Sequence, residues 1–266
     1  MKNLPRNIQT EHKKEFVRIM DSLSGRYTRW ELWKDFVCMV AISISNAVDE
    51  HNAEAREETY RTIAAKYKPE ELQRFSQMFA EVVLGMEEDP DQDFLGELFM
   101  MLNLSSAANG QFFTPYSVCE MMATMTDGDH VKAEIQEKGW VSVNDPACGA
   151  GATLVAFANY CKQQGIDFQN DVLFIGQDID YIVACMCYIQ LSLLGCAGYV
   201  VVGNTLTNPS MSYDGRALIP VYGDNVWYTP MYFAGKWGLR RVVETMSIMV
   251  RHGVSDKENK AVDKSV

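Results

Sequence analysis

Val141-Ser-Val-Asn-Asp-Pro-Ala-Cys-Gly-Ala-Gly-Ala-Thr-Leu154 is the stretch on which the fold turns. A β-branched run leads into a turn of small residues and then into a helix start, so that backbone N–H groups and a helix N-terminus face one point in space. Gly149 and Gly151 suit such a turn, because a residue without Cβ adopts φ > 0 and lets a ligand approach the backbone. Asp145 ends the strand with a carboxylate and Pro146 stiffens the exit. Ala147, Cys148 and Ala150 are small enough for a ligand to lie against the chain. Taken alone, a Gly-x-Gly reads first as a plain βα turn.

Its surroundings change that reading. A second apolar run, Val172 to Gly176, leads into Gln177-Asp178-Ile179-Asp180, and a third, Tyr199 to Gly203, leads into Asn204-Thr205-Leu206. Three strands with helices between them, each ending at a glycine, carboxylate or carboxamide, describe one side of a doubly wound sheet with its ligand over the strand C-termini. Upstream, Asn109-Gly-Gln-Phe-Phe-Thr-Pro115 leads into a helix expected to run through Met125, with Thr114 as N-cap and Pro115 in the first helical position. Asp180 reads equally as an N-terminal cap and as a ligand.

Gly110-Gln-Phe-Phe-Thr-Pro115, Asp145-Pro-Ala-Cys-Gly-Ala-Gly151, Gly176-Gln-Asp178 and Gly203-Asn-Thr-Leu206, in that order, resemble the S-adenosylmethionine site of the N6-adenine DNA methyltransferases. Within that family the chain is similar to the modification subunits of type I restriction-modification systems, over Ser105 to Leu206. The resemblance implies an α/β fold, a Rossmann-like class I S-adenosylmethionine-dependent methyltransferase sheet short of its full strand set, behind an all-α N-terminal domain. It places Phe112, Phe113 and Thr114 at the methionine end of S-adenosylmethionine, where an aromatic face suits a sulfonium cation and a hydroxyl suits a carboxylate. It places Asp145, Pro146, Ala147, Cys148, Gly149 and Gly151 along the cofactor, Asp178 at the ribose hydroxyls, and Asn204 near the adenine ring. Cys148 reads as a space-filling small residue, since no base stands near it to activate a thiol.

One departure is serious. Members of the family continue into a fourth apolar strand ending in Asn-Pro-Pro-aromatic, whose carboxamide and prolyl carbonyl hold the target amino group. Here the candidate catalytic residues are Asn208 and Pro209 of Asn208-Pro209-Ser210-Met211, too close to Asn204 for a return helix and another strand. Asn208 therefore reads as a turn residue ahead of a catalytic one. Tyr222, Trp227, Tyr228, Tyr232, Phe233 and Trp237 cluster late in the chain and read as cover for a sheet edge ahead of a platform for a flipped base.

The 266 residues, 47% of them hydrophobic, are enough for a real core. Three parts are expected: a helical domain over 1–104, the cofactor-binding α/β domain over 105–253, and a polar tail over 254–266. Thr28 to Val48 carries a stripe through Trp30, Leu32, Trp33, Phe36, Val37, Val40, Ile44 and Val48. Asp49 to Lys66 reads as an exposed charged helix, Glu70 to Leu84 as another, Gly85 to Pro90 as a break and Phe94 to Leu104 as one more helix. The acidic stretches 54–58 and 87–93 read as solvated faces and a linker.

A net charge of -11 excludes a chain that grips duplex DNA unaided, because phosphate neutralisation supplies most non-specific affinity. If DNA is the substrate, a specificity subunit or another partner supplies the grip and the sequence readout, which implies a hetero-oligomer. The seven cysteines follow no metal or disulfide spacing and suit a reducing cytoplasm. Tyr181 to Gly203 is nearly uncharged, but Gly195, Gly198 and the valine run break it into helix, turn and strand, so no membrane span is expected. Two functions remain: an adenine methyltransferase inside a modification complex, or a catalytically impaired relative that binds the cofactor or a partner as an interaction module.

Overall fold

The computed structural model describes residues 6–104, 113–221 and 225–262. In chain order the elements are α1 (Arg6–Asp21), α2 (Arg29–Asn46), α3 (Glu50–Ala64), α4 (Pro69–Glu88), α5 (Phe94–Met101), α6 (Tyr116–Thr124), α7 (Gly128–Lys138), β1 (Val141–Asp145), α8 (Ala152–Gln163), α9 (Phe168–Asp171), β2 (Val172–Asp178), α10 (Tyr181–Leu193), β3 (Ala197–Val202), β4 (Val226–Tyr228), α11 (Pro230–Phe233) and α12 (Gly235–Val262).

β1, β2 and β3 pair in parallel, with Val143 opposite Phe174 and Phe174 opposite Gly198. These are the three strands and two helical crossovers read from the sequence. β4 was not foreseen: it joins the other side of β3 antiparallel, with Tyr199 opposite Tyr228. The spatial order is β1-β2-β3-β4, so β1 lies at the rim and, among the described residues, no strand pairs with its outer edge.

Alternation along the strands divides the core in two. Val172, Phe174, Val200 and Trp227 face one layer with α8 and α10, while Leu173, Ile175, Tyr199, Val201 and Val226 face the other with Tyr232 and Trp237. The first layer continues without a break into α1, α2, α4 and α5, so the helices and the sheet share one core. α2 lies between α3 and α10. That position explains why Asp35 to Ile42 are all buried, where the sequence suggested a stripe on one face, and why Trp30 near its start stays exposed. Thr28 caps α2, and its capping box with Glu31 satisfies the first orphan N–H groups.

Several boundaries differ from the sequence reading. α4 runs straight through Gly85, because the Phe94 ring packs there; a Cβ at Gly85 would stand 2.3 Å from Phe94 Cε2. The stretch 87–93 is not wholly a solvated linker, since Gln92 and Asp93 are buried. α6 starts after Pro115, which is itself the N-cap, so Thr114 lies one residue outside the capping position. α12 continues through Gly253 to Val262, where a tail was expected.

The acidic helix α3 also holds a surprise. Arg56 is buried, pairs with Asp49 at 2.8 Å, donates to Ser45 and to the Val226 carbonyl of β4 at 2.8 Å, and lies 3.9 Å over the Trp227 ring. It pins the helical layer to the sheet. Arg56→Ala strands Asp49 as an unpaired buried charge, so the free energy of unfolding should fall by about 3–5 kcal/mol, read as a lower urea midpoint at unchanged slope.

Candidate active site

The site is built at the exit of β1. Gly149 (φ 55°) and Gly151 (φ 96°) both take the left-handed conformation, and Gly151 is the N-cap of α8. A Cβ at Gly151 would meet Cys187 Sγ at 2.8 Å, so glycine is required there by space as well as by conformation. The Gly151 N–H donates to the Cys148 carbonyl at 2.8 Å, and the Cys148 N–H donates to the Gln177 carbonyl at 3.0 Å. The turn therefore leans on the end of β2.

Over this turn lies Phe113, whose ring would be 3.4 Å from a Cβ on Gly149. Phe99 of α5 holds that ring from behind at a centroid distance of 5.4 Å, and Trp33 of α2 holds Phe99 at 5.9 Å. Beneath the ring is a hollow of about 80 Å³ lined by Phe113, Thr114, Asp145, Ala147, Cys148 and Gly149, all singled out in the sequence. Asp93, Cys119, Ala150, Ala152 and Thr153 complete the lining. Phe112 lies outside the described residues.

Asp93 and Gln190 were missed. Asp93 Oδ1 caps α5 by accepting from the Gly96 N–H at 3.0 Å, and it also accepts from Gln190 Nε2 at 2.8 Å. The same Gln190 nitrogen donates to the Ala150 carbonyl of the turn at 2.8 Å. Nothing in local sequence marks Gln190, which sits in an apolar helix, and Asp93 is hidden in an acidic run. The Asp-x-x-Gly spacing of Asp93 and Gly96 ahead of a helix is the signal that could have suggested the cap.

The remaining sequence candidates are placed as follows. Asp145 Oδ1 accepts from the Ala147 N–H at 3.0 Å, and Asp145 Oδ2 accepts from the Thr153 hydroxyl. Pro146 is exposed, and its carbonyl accepts from Thr205. Asp178 Oδ2 accepts from the Gly149 N–H at 3.0 Å and Oδ1 from the Asp180 N–H at 2.9 Å, so its carboxylate braces the turn. Asp180 is the cap of α10, accepting from Ile182 and Val183. Asn204 closes a local turn by accepting from the Leu206 N–H at 2.9 Å. Asn208 and Pro209 are exposed in the loop after β3. Buried Gln177 fixes that loop by donating to the Asn208 carbonyl at 2.8 Å and accepting from the Ser210 N–H at 2.8 Å. The late aromatics within the described residues pack in both core layers: Trp227 of β4 faces the first, Tyr228, Tyr232, Phe233 and Trp237 pack in or against the second, and Tyr228 stacks on Tyr232 at 5.0 Å.

Charge around the hollow is one-sided. Asp93 and Asp145 line it, Asp178 reaches the turn from behind, and none of the three forms an ion pair within 4.0 Å among the described residues. Burial pushes the Asp93 and Asp178 carboxyls above the usual aspartate range, against the N–H groups that pull them down. The neighbouring Cys187 thiol and burial together push the Cys148 thiol well up, which keeps it protonated and inert. An acidic hollow under an aromatic ring suits a small organic cation. Among the described residues there is no cluster of side chains able to hold a metal.

Fold and site thus define an α/β protein with a glycine turn and a small acidic hollow at the end of its first strand. Residues 91–260 match the family model of the N-6 DNA methylases, and the chain belongs to that family. It is 24% identical over 157 residues to the type I restriction enzyme MjaIX methylase subunit of Methanocaldococcus jannaschii, a match covering 56% of this chain. The chain spans about a quarter of that relative's length, 26%. A solved structure described as a class I S-adenosylmethionine-dependent methyltransferase, from Listeria monocytogenes, overlaps 76% of this chain and 56% of its own at 18% identity and a TM-score of 0.41. The cofactor implied by the family is S-adenosylmethionine.

The buried carboxylates give a pH signature. A raised folded-state pKa means the native chain binds the proton more tightly than the unfolded one, so the contribution to stability is full below about pH 4 and is lost as pH rises through the raised value. Asp93→Asn should flatten the decline in unfolding free energy above that pH, measured by urea titrations across the range. An unchanged slope would rule out burial as the dominant influence on Asp93.

Proposed function

We propose that this chain binds S-adenosylmethionine at the β1 turn and serves in N6-adenine methylation of DNA, as a modification subunit, or part of one, in a type I restriction-modification system. The observation that carries the reading is the contact of Phe113 with Gly149 over a hollow rimmed by unpaired carboxylates. At about 80 Å³ the hollow has room for the amino-acid end of the cofactor, against several hundred Å³ for a whole ligand pocket. Phe113 would face the sulfonium, Asp93 and Asp145 the ammonium, and Thr114 the carboxylate. Asp178 would reach the ribose while bracing Gly149, and Asn204 would lie toward the adenine. When bound, the cofactor supplies an activated methyl group.

Residues 1–104 are read as a helical platform that lends Asp93 to the wall of the site, and 105–253 as the part that carries the rest of it. DNA contact and sequence readout are assigned to a separate specificity subunit, in keeping with the net charge of -11. A cytoplasmic setting follows from a restriction-modification role. Among the described residues no helix is long and apolar enough to cross a membrane.

A second reading is favoured by one observation: the Asn208 carbonyl is held by Gln177 and its side chain is exposed in a turn. The chain would then bind cofactor and partners without transferring the methyl group. Calorimetric titration with S-adenosylmethionine, followed by tritium transfer to unmethylated DNA with and without a specificity subunit, separates the two. Phe113→Ala should weaken cofactor binding by roughly three- to thirtyfold, the equivalent of a cation–π contact of about 0.5–2 kcal/mol. Binding with no transfer in any mixture selects the second reading, and no binding at all ends both.

A further inference from the structure

α12 carries its apolar face on the outside. It packs at its start, where Trp237 is buried and donates to the Gln169 carbonyl at 2.8 Å, against α9 and α11. From there its 28 residues extend about 42 Å at 1.5 Å per residue. Leu239, Val242, Val243, Met246, Met249 and Val250 are each between 52% and 67% exposed. At 100° per residue these six fall within one stripe about 120° wide, the width by which a helix normally meets its packing partner. Arg240, Arg241, Glu244 and Arg251 lie on the other side.

The pattern of the stripe suits a second copy of the same helix. Centred on Met246, apolar residues fall at -7, -4, -3, 0, +3 and +4, so the sequence reads nearly the same in both directions. The subset Leu239, Val243, Met246 and Val250 has the 4-3-4 spacing of a helix-pair seam. An antiparallel copy with its twofold axis at Met246 sets Val243 opposite Met249 and Val242 opposite Val250. Leu239 then meets Gly253, which leaves it room. This is the self-complementarity an isologous contact demands.

Charge points the same way. Lys236 and Arg240 lie 3.5 and 3.7 Å from Asp171, Arg251 lies 2.8 Å from Glu244, and Arg241 stacks over Tyr232 and Phe233 at 4.4 and 4.6 Å. The cations of this stretch are engaged by their own chain, which does not suit a phosphate-rich surface. Thr245 and Ser247, which border the stripe, are uncharged, and Lys236, just beyond its start, faces Asp171 of its own chain, so little along the seam repels a like helix.

We propose that α12 is a dimerisation helix, pairing antiparallel with α12 of a second copy of this chain about a twofold axis at Met246. This contact is independent of the cofactor reading and uses no residue of the hollow. Light scattering on the eluting full chain, at tens of micromolar, should return twice the 30.1 kDa monomer mass. Met246→Glu should raise the dissociation constant at least tenfold while circular dichroism stays unchanged, since the side chain is exposed in the monomer. Glu244→Gln, on the opposite side, should leave the mass as it is. All seven native cysteines are buried, so in Met246→Cys a bis-maleimide should join one new thiol to its symmetry mate and yield a covalent dimer. A monomer at every concentration, a dimer indifferent to Met246→Glu, or a dimer that the reagent does not join at position 246 would overturn the proposal.

Discussion

A single buried amide holds this molecule together at the point that matters. Gln190, fully buried in the last turn of α10, donates to Asp93 and to the Ala150 carbonyl, and its own oxygen accepts from the Leu95 N–H at 3.1 Å. One side chain thereby ties a crossover helix, a helix of the N-terminal layer and the glycine turn. The Leu95 N–H and the Ala150 carbonyl would lose this partner without it, at about 1–3 kcal/mol apiece, while Asp93 would keep the Gly96 N–H. The helical layer is thus part of the site's wall, and the turn's geometry depends on how α5 is seated.

A second line of support is apolar. Trp33, Phe99 and Phe113 form a run of ring contacts from α2 to the roof of the hollow. On the sheet side, Gln177 and Asp178 at the end of β2 hold both the β1 turn and the loop after β3. The hollow is therefore fixed from three directions by groups that do not themselves need to touch a ligand. Such preorganisation is what a site requires if binding is not to cost ordering energy later.

Much of this was legible in the sequence, and the misses have physical reasons. The three parallel strands were readable because β-branched runs end at glycine or a carboxylate, and the contact of Phe113 with Gly149 agrees with the family resemblance, which set both along one ligand. Arg56, Asp93 and Gln92 were not, because a charged or amide residue in an acidic stretch looks solvated until tertiary neighbours bury it. β4 is three residues long and pairs antiparallel, too short for periodicity to register. Gly85 suggested a break, yet the Phe94 ring needed the space and the helix continued.

Rim position has a consequence for β1. Ser142 and Asn144 are exposed, and on one side the strand has only β2 to protect it. Amides on its outer side exchange with bulk water without any opening of the sheet, whereas those of β2 are sheltered between neighbours. With β4 at the opposite rim, β1 is thus one of the two strands whose backbone breathes most readily, and local opening there reaches the glycine turn while β2 and β3 stay shut.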